Sequence, residues 1–483
     1  MLVLAVASEA FPLVKTGGLA DVVGALPKAL SPLGIRVVTM LPGYPAVMAA
    51  LGRARSLRNI PDLFGGAARL VRGEAAGLEI IAVDAPHLYA REGSPYQMQD
   101  GREWPDNALR FAALGAAAAL VAQDGLRGMR FAAVHAHDWQ GGLTAAYLRQ
   151  SQASVRCLFT VHNLAFQGRF EAGIFPRLGL PWDFFSTHGL EYYGGVGFLK
   201  SGLWYSDALS TVSPTYAVEI RTSASGMGLD GLLRSRKSVL HGILNGIDVS
   251  EWDPETDVNL DSQFNVESVS QRLVNKLSVQ RLFGLEERPE CPLFGYVGRL
   301  AWQKGIDLIM DAIPAIFDCG GQLALLGAGD DDLVERCLGA ARANPGRVGS
   351  RIGFDERLAR LLYGGADAVL VPSRFEPCGL TQLYAQRYGA LPIVSHTGGL
   401  VDTIVDANQA ALGRGWGTGF SFACDNLEAL CEAIVRAASA WQSRATWQGL
   451  VENAMRADVS WVPSARRYAS ILRSLSSVRR QRQ

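Results

Sequence analysis

Short apolar runs alternate with apolar positions at helical spacing along the second half of the chain. The runs at 292–297, 322–326, 348–354, 368–371 and 391–395 predict strands. The segments 305–317, 332–343, 356–363, 381–388 and 399–406 predict the helices that alternate with them. Strands this apolar, alternating with helices, indicate a parallel sheet that is covered on both faces.

The first half of the chain begins in the same way, with predicted strands at 2–7, 35–41, 131–135 and 157–161. One helix face after the first strand carries Leu19, Val22, Val23 and Leu26. We therefore expect an α/β fold with two doubly wound, Rossmann-like domains that face each other across a cleft. Ligands of such sheets bind at the carboxyl ends of the strands, so the chemically interesting motifs should follow strands.

The pattern breaks near 242–248, where Asn245 and Gly246 precede an irregular stretch. We place an N-terminal domain at 1–243, a C-terminal domain at 244–459 and a last helix at 460–483 that packs back on the first domain. That helix has an apolar face made of Trp461, Ala465, Tyr468, Ile471, Leu472 and Leu475. The basic end at 479–482 predicts a solvated tail.

Charge and cysteine content restrict the class of protein. Lys plus Arg equals Asp plus Glu at 46 each, which argues against a nucleic-acid binder with a broad basic field. The seven cysteines form no motif, so we expect reduced thiols and a cytoplasmic protein. No apolar run reaches the roughly 18 residues of a membrane helix, so no membrane partner is expected.

The segment 15–21 reads Lys-Thr-Gly-Gly-Leu-Ala-Asp and lies between the first predicted strand and helix. Gly17 and Gly18 allow close approach of the backbone, and N–H groups at a helix start favour an anion. Lys15 adds a full charge. Taken alone, the segment fits a phosphate-binding loop and an ordinary glycine turn equally well, and it lacks the Walker spacing.

A second pair of cations, Arg299 and Lys304, follows the first strand of the second domain. An Arg fork and a Lys point charge suit a departing diphosphate, although two surface cations in a loop remain the alternative. The segment 373–381 then joins a strand to a helix and brings Glu376 before another possible phosphate position at Gly379 and Thr381. Glu376 suits sugar hydroxyls or an oxocarbenium ion, or else complements the helix dipole.

Histidines end two strands of the first domain, in His-Ala-His-Asp-Trp at 135–139 and Thr-Val-His-Asn at 160–163. A metal site is disfavoured because no third ligand has a persuasive spacing, and a structural role is open for His135. Sugar recognition, with Trp139 as an apolar platform, fits better. Gly-Ala-Gly-Asp at 327–330 lacks the third glycine of a dinucleotide motif. Cys378 has no adjacent base, which favours a packed turn cysteine over a nucleophile.

Together these segments resemble bacterial glycogen synthases and plant starch synthases over nearly the whole chain. The resemblance rests on Lys-Thr-Gly-Gly-Leu at 15–19, the two histidine motifs, Asn-Gly-Ile-Asp at 245–248, Gly298-Arg299, Lys304-Gly305, the segment 373–381, Thr-Gly-Gly-Leu at 397–400 and Val-Ser-Trp at 459–461. It implies the two-domain GT-B fold, with the nucleotide sugar in the second domain and the acceptor in the first. It also implies metal-independent glucose transfer with retention of configuration, from ADP-glucose to glycogen or another α-1,4-glucan.

The resemblance also implies roles for individual residues. Lys15, Gly17 and Gly18 would lie near the donor diphosphate and sugar. Arg299 and Lys304 would hold the phosphates, aided by the segment that contains Cys378, Gly379, Leu380 and Thr381. Glu376, His162 and Asp138 would lie around the transferred glucose and its reacting region. The remaining predicted contacts to glucose and acceptor are Asp21, Tyr96, Trp139 and Asn245.

Two positions bear on the details of this resemblance. Tyr384 stands where many retaining relatives carry a second Glu, as is usual for the glycogen and starch branch. Phe354 stands at the adenine-stacking position, where Tyr is frequent, and a phenyl ring still stacks. We expect front-face transfer in which the leaving diphosphate accepts the acceptor proton, since no nucleophilic carboxylate is evident.

Alternative functions remain at this level. The chain could be another retaining GT-B transferase with UDP-glucose as donor or a small acceptor, such as one that makes sucrose. A phosphorylase is disfavoured because no cofactor-lysine motif is evident. A non-catalytic glucan-binding protein is the remote alternative.

Overall fold

The computed structural model describes residues 1–477, so the predicted tail at 479–482 lies outside the described residues. The chain divides into two compact units. The first unit contains Met1–Asn245 and the segment that begins at Trp461, and the second contains Gly246–Ser460. The predicted boundary was at 243/244.

The first unit is built on a nine-stranded sheet in the order β12-β11-β7-β6-β1-β2-β5-β4-β3, with a three-stranded sheet β8-β10-β9 beside it. The strands are β1 (Leu2–Val6), β2 (Arg36–Pro42), β3 (Arg55–Ile60), β4 (Ala68–Ala75), β5 (Leu78–Asp84), β6 (Ala133–His137), β7 (Arg156–Val161), β8 (Arg169–Phe170), β9 (Glu191–Tyr192), β10 (Gly195–Gly197), β11 (Ala208–Thr211) and β12 (Leu240–Gly242). From β12 to β5 all neighbours are parallel.

The antiparallel edge β5-β4-β3 was not predicted. The tight turn between β4 and β5 consists of Ala76 and Gly77, whose φ angles are both positive, at 51° and 75°. Two such residues form the type I′ turn that matches the twist of a hairpin. Because alanine rarely occupies the first of these positions, the sequence carried a weak turn signal here.

Helices cover the first sheet: α1 (Gly18–Leu30), α2 (Pro45–Leu51), α3 (Pro86–Tyr89), α4 (Asn107–Asp124), α5 (Asp138–Gly141), α6 (Leu143–Gln150), α7 (Phe198–Tyr205), α8 (Pro214–Glu219) and α9 (Asp230–Ser235). The predicted apolar face of α1, Leu19 to Leu26, is buried as expected. No helix within residues 1–477 combines the length and the apolar composition that crossing a membrane requires. The seven cysteines, all within this range, are free thiols.

The second unit has one parallel six-stranded sheet in the order β15-β14-β13-β16-β17-β18. Its strands are β13 (Leu293–Val297), β14 (Gln322–Gly327), β15 (Val348–Ile352), β16 (Ala368–Val371), β17 (Leu391–Ser395) and β18 (Phe420–Phe422). The strand order reverses direction at β13, as in doubly wound folds. The predicted α/β class with two doubly wound sheets is confirmed.

The helices of the second unit are α10 (Arg272–Leu282), α11 (Ile306–Asp311), α12 (Ile313–Asp318), α13 (Asp331–Ala343), α14 (Glu356–Gly365), α15 (Thr381–Arg387), α16 (Gly398–Thr403), α17 (Gln409–Leu412), α18 (Leu427–Gln442) and α19 (Arg444–Arg456). The prediction of a single helix over 305–317 was wrong, because α11 and α12 are separated at Ala312. Pro314 lies in the first turn of α12, where its missing N–H and its ring prevent a continuous helix.

The last described helix, α20 (Val462–Ser477), belongs to the first unit although it follows the second in sequence. It buries Tyr468 and Leu472 in a cluster that includes Val3 of β1 and Leu26 of α1. The N- and C-terminal segments of the chain therefore share one hydrophobic core.

Shortening Leu472 to alanine should destabilise the first unit, because its fully buried side chain would leave a cavity beside β1 and α1. We expect a loss of about 2–5 kcal/mol in the free energy of unfolding, measured by urea denaturation. Ser470→Ala, at an exposed position of the same helix, is the control. Equal midpoints for the two variants would show that α20 contributes little to the core.

Candidate functional site

The first cluster of predicted site residues lies where β1 ends and α1 begins. Gly17 immediately precedes α1 and Gly18 is its first residue, and no side chain caps this end of the helix. The first backbone N–H groups of α1 therefore have no capping side chain, which suits an anion. Lys15 Nζ lies 2.8 Å from Asp21 Oδ1 and 5.3 Å from the centre of the Phe11 ring.

A buried carboxylate that the sequence analysis missed, Glu9, holds this loop in place. It accepts hydrogen bonds from the backbone N–H of Thr16 at 2.5 Å and from the Thr16 hydroxyl at 2.7 Å. The Tyr96 hydroxyl also donates to Glu9 and lies 2.7 Å from Ser8 Oγ. Burial, reinforced by Glu9, raises the pKa of Tyr96. A charged residue directly after an apolar strand was the available signal.

Asp138 and His162 meet at the ends of β6 and β7. Asp138 Oδ1 accepts the backbone N–H of His162 at 2.7 Å. Asp138 has φ of 50°, an unusual value for a residue with a side chain, so local contacts hold it in a strained conformation. Burial raises the pKa of the Asp138 carboxyl to about 7, although backbone N–H groups of His162 and Asn163 oppose this effect.

Three buried histidines form a neutral group beneath this point. His137 Nδ1 lies 3.0 Å from His162 Nε2, while His135 Nε2 lies 2.7 Å from the Thr160 hydroxyl. Burial lowers the pKa of His135 and of His162 to about 3 and that of His137 well below its usual value. His135 thus has a structural hydrogen bond. Residues 1–477 contain no group of three or more His, Cys, Asp or Glu side chains with metal-binding geometry.

Aromatic rings form a wall beside these polar groups. The Trp139 and Phe111 ring centres are 4.8 Å apart with an edge-on geometry, and the Tyr96 ring lies 6.2 Å from Trp139. Trp139 is half-buried, so part of its ring is available as the predicted platform. Asn245 is half-buried at the last position of the first segment of this unit.

In the second unit, Lys304 and Glu376 form an ion pair that the sequence analysis did not predict. Lys304 Nζ lies 2.5 Å from Glu376 Oε2, which also accepts a hydrogen bond from the Ser373 hydroxyl at 3.0 Å. Glu376 is buried, while the Lys304 side chain keeps 23% of its surface exposed. The two residues follow β13 and β16, which are neighbours in the sheet, so both loops reach the same sheet edge.

Arg299 is exposed in the loop after β13, where its guanidinium makes a 3.3 Å hydrogen bond to Gln303. Gly327 and Gly329 support this loop, because a side chain at either position would overlap the carbonyl oxygens of Gly298 and Leu300. The glycines at 327 and 329 therefore serve close packing of two loops. Their rejection as a dinucleotide motif is consistent with this role.

Arg374 ties the segment that carries Glu376 to the rest of the second cluster. Its guanidinium pairs with Asp307 at 2.7 Å and with Asp425 at 2.7 Å, and it lies 4.5 Å from the Trp302 ring centre. Arg374 thereby connects the loop after β16 with the start of α11. Two ion pairs therefore anchor the loop that carries Glu376.

The segment at 397–400 supports the other side of the Glu376 loop. A side chain on Gly398, whose φ is 44°, would overlap the carbonyl oxygen of Glu376, and the backbone N–H of Gly399 donates to that oxygen at 3.1 Å. Cys378 is buried in this turn, as predicted for a packed cysteine. Beyond it, Gly379 and Leu380 precede α15, and Thr381 is its first residue.

The aromatic side chains of Phe354 and Tyr384 lie in different environments. Phe354 is 82% exposed after β15, so its ring faces solvent. Tyr384 is stacked on Trp252 with ring centres 3.8 Å apart and therefore takes part in packing within the second unit.

Known proteins resemble this chain over nearly its whole length. A family model described as "Starch synthase catalytic domain" matches residues 2–235, and one described as "Glycosyl transferases group 1" matches residues 291–440. The chain is 54% identical to a glycogen synthase of Acidiphilium cryptum, with 99% of this chain and 100% of that protein covered.

Solved structures extend the comparison. The catalytic domain of starch synthase IV from Arabidopsis thaliana, bound to ADP and acarbose, is 32% identical, with a TM-score of 0.86 and 99% of both chains covered. A sucrose-phosphate synthase from Thermosynechococcus elongatus is 19% identical, with a TM-score of 0.59 and 99% of both chains covered. The latter likeness concerns the fold alone.

Acid should destabilise the protein through its buried histidines. Because burial lowers the pKa of His135 to about 3 from its ordinary value of 6.5, only the unfolded chain takes up a proton between these values. Stability is therefore lost as the pH falls from about 6.5 towards 3. His135→Gln, which can keep a polar atom near Thr160, should reduce proton uptake on unfolding by about one in this window.

The measurement is the slope of the unfolding free energy against pH between about 6 and 4.5, from urea titrations. His188→Gln, at an exposed position, controls for the removal of one histidine. A slope for His135→Gln that equals the slope of the unmodified chain would contradict the assignment of neutral, buried His135.

Proposed function

Because this chain belongs to the starch and glycogen synthase family of glycosyltransferases, we propose that it transfers glucose from ADP-glucose to the non-reducing end of an α-1,4-glucan. The donor assignment draws on the starch synthase relative whose structure contains ADP, the product that ADP-glucose leaves after transfer. The acceptor assignment draws on the glycogen synthase relatives.

The observation that carries the proposal is the arrangement of Arg299, Lys304 and Glu376. Lys304 uses one of its three N–H groups for Glu376, which leaves two for phosphate oxygens. Arg299 is exposed five positions before Lys304, and within residues 1–477 its guanidinium makes one long hydrogen bond, to Gln303 at 3.3 Å. Negative charge grows on the diphosphate as the glycosyl bond breaks, and fixed cations stabilise that charge.

Glu376 is proposed to accept a hydrogen bond from the transferred sugar. Its Oε2 is occupied by Lys304 and Ser373, whereas Oε1 makes no hydrogen bond within the described residues. A carboxylate that is neutralised in this way by a lysine is a weak nucleophile. Its second oxygen can still accept a hydrogen bond from a sugar hydroxyl. The proposal therefore keeps front-face transfer, with the acceptor proton passing to the leaving diphosphate and no covalent glycosyl-enzyme.

Asp138 and His162 are proposed to contact the sugar region from the first unit. Asp138 Oδ1 accepts the backbone N–H of His162, so Asp138 also holds that residue in position. Lys15, with the uncapped start of α1, supplies positive charge for the donor, and Tyr96, Trp139, Asp21 and Asn245 are proposed to surround glucose and acceptor. Phe354 offers an exposed ring for adenine.

No metal is assigned a role in this proposal, because Arg299 and Lys304 supply positive charge for the diphosphate. Retained activity after exhaustive chelation is the expected result. Loss of activity that magnesium or manganese restores would contradict it.

A transfer assay tests the function directly. ADP-glucose and UDP-glucose, each radiolabelled in the glucose moiety, are incubated separately with the protein, with and without glycogen. The label incorporated into the polymer is then counted. We expect glycogen-dependent incorporation from ADP-glucose, released by an α-1,4-specific exoamylase. Incorporation from UDP-glucose alone would overturn the donor assignment, and glycogen binding without ADP release would favour a non-catalytic binding protein.

Arg299→Gln should lower kcat by about 10²–10³-fold, because it removes a charge that stabilises the leaving diphosphate. Arg299 is a sharper probe than Lys304, whose loss would also leave Glu376 buried without its cation. Arg281→Gln, which removes an exposed arginine paired with Glu287, is the matched control. A rise in KM with unchanged kcat would contradict the leaving-group role.

A further inference from the structure

The hydrogen bond between His137 and His162 has a consequence for the sugar site. His137 is the last residue of β6 and lies in register with Thr160 of β7, so His162 is brought beside it at the same sheet edge. His137 Nδ1 and His162 Nε2 are 3.0 Å apart. His137 is 1% exposed and His162 8% exposed, so water does not compete freely for these nitrogens.

Both rings are neutral, because burial lowers the pKa of each far below its usual value. A neutral imidazole has one nitrogen that donates and one that accepts. In the shared bond one ring therefore donates and the other accepts, and the choice determines which nitrogen of His162 carries its hydrogen.

His137 and Asp138, which are adjacent in sequence, hold His162 at two points. Its ring nitrogen Nε2 is taken by His137, and its backbone N–H is taken by Asp138. Its other ring nitrogen, Nδ1, makes no hydrogen bond within the described residues. Nδ1 is then the one ring atom of His162 that remains available for a ligand.

We propose that His137 is a positioning residue for glucose transfer, which fixes the ring plane and the tautomer of His162 and so presents Nδ1 to a hydroxyl of the transferred sugar. This inference rests on the proposed function, since it takes His162 as a contact to that sugar. A ring nitrogen held in one tautomer recognises a hydroxyl without reorganising during the reaction.

The neighbouring His135 is a histidine of the same strand whose hydrogen bond is structural. Its ring lies against that of His137, with centres 4.0 Å apart and the planes tilted by 40°, and its Nε2 is directed to the Thr160 hydroxyl and not to His162. Substitution of His135 therefore disturbs the same part of the core and leaves the His137–His162 bond in place. It provides the control for effects of packing alone.

Three substitutions separate the hydrogen bond from the packing. His137→Asn places a polar atom near the position of Nδ1, His137→Gln places one near Nε2, and His137→Phe keeps a ring without nitrogen. With ADP-glucose and glycogen, we expect the Gln and Phe variants to lose about 10-fold in kcat, as for one lost hydrogen bond. The Asn variant should recover most of that loss, with KM for glycogen unchanged in all three.

His135→Gln should keep kcat near that of the unmodified chain although it alters the same core. Urea unfolding of every variant shows whether each is folded at the assay temperature. Equal kcat in the Phe variant and the unmodified chain would overturn the proposal. Losses that follow the unfolding midpoints, with no advantage of Asn over Gln, would overturn it as well.

Nitrogen NMR of the full chain labelled at histidine provides a readout that does not depend on activity. We expect one neutral tautomer of His162 in the unmodified chain and in His137→Asn, and a mixture of tautomers in His137→Phe. An unchanged tautomer in the Phe variant would overturn the role of His137. Absence of any glucose transfer by the unmodified chain would instead overturn the proposed function, and the sugar-contact part of this proposal with it.

Discussion

The ion pair between Lys304 and Glu376 is the interaction on which the second unit's chemistry depends. A buried carboxylate is stable only when its charge is compensated, so the loops after β13 and β16 must stay together. Arg374 braces them on one side, and the backbone N–H of Gly399 holds the Glu376 carbonyl on the other. Motifs far apart in sequence are therefore parts of one support for a single carboxylate.

The first unit uses the same principle with a different carboxylate. Glu9, buried directly after β1, collects hydrogen bonds from Thr16 and Tyr96 and thereby holds the loop that presents Lys15. Hydrogen bonds to polar groups that are buried after strands rigidify the surface that these groups support. In the first unit, the positioning residues Glu9 and His137 are more completely buried than His162, which meets the sugar in our proposal.

Much of this fold was predictable because the strands are short apolar runs in a parallel sheet, where pattern is strong. The helix over 305–317 failed because Pro314 interrupts an otherwise regular apolar spacing. Site residues were recognisable by their motifs and by their place after strands. The side chains that pair with them were not recognisable in this way. Lys304 and Glu376 are 72 residues apart, and only strand order brings them together.

The placement of α20 has a consequence for how the protein is made. Its buried residues complete a core whose other members include Val3 and Leu26, from the beginning of the chain. During translation, the second unit emerges in full before the first can close its core. The nascent first unit must therefore wait, with the apolar side of β1 and α1 uncovered, until the last helix leaves the ribosome, a period in which chaperone binding would be favoured.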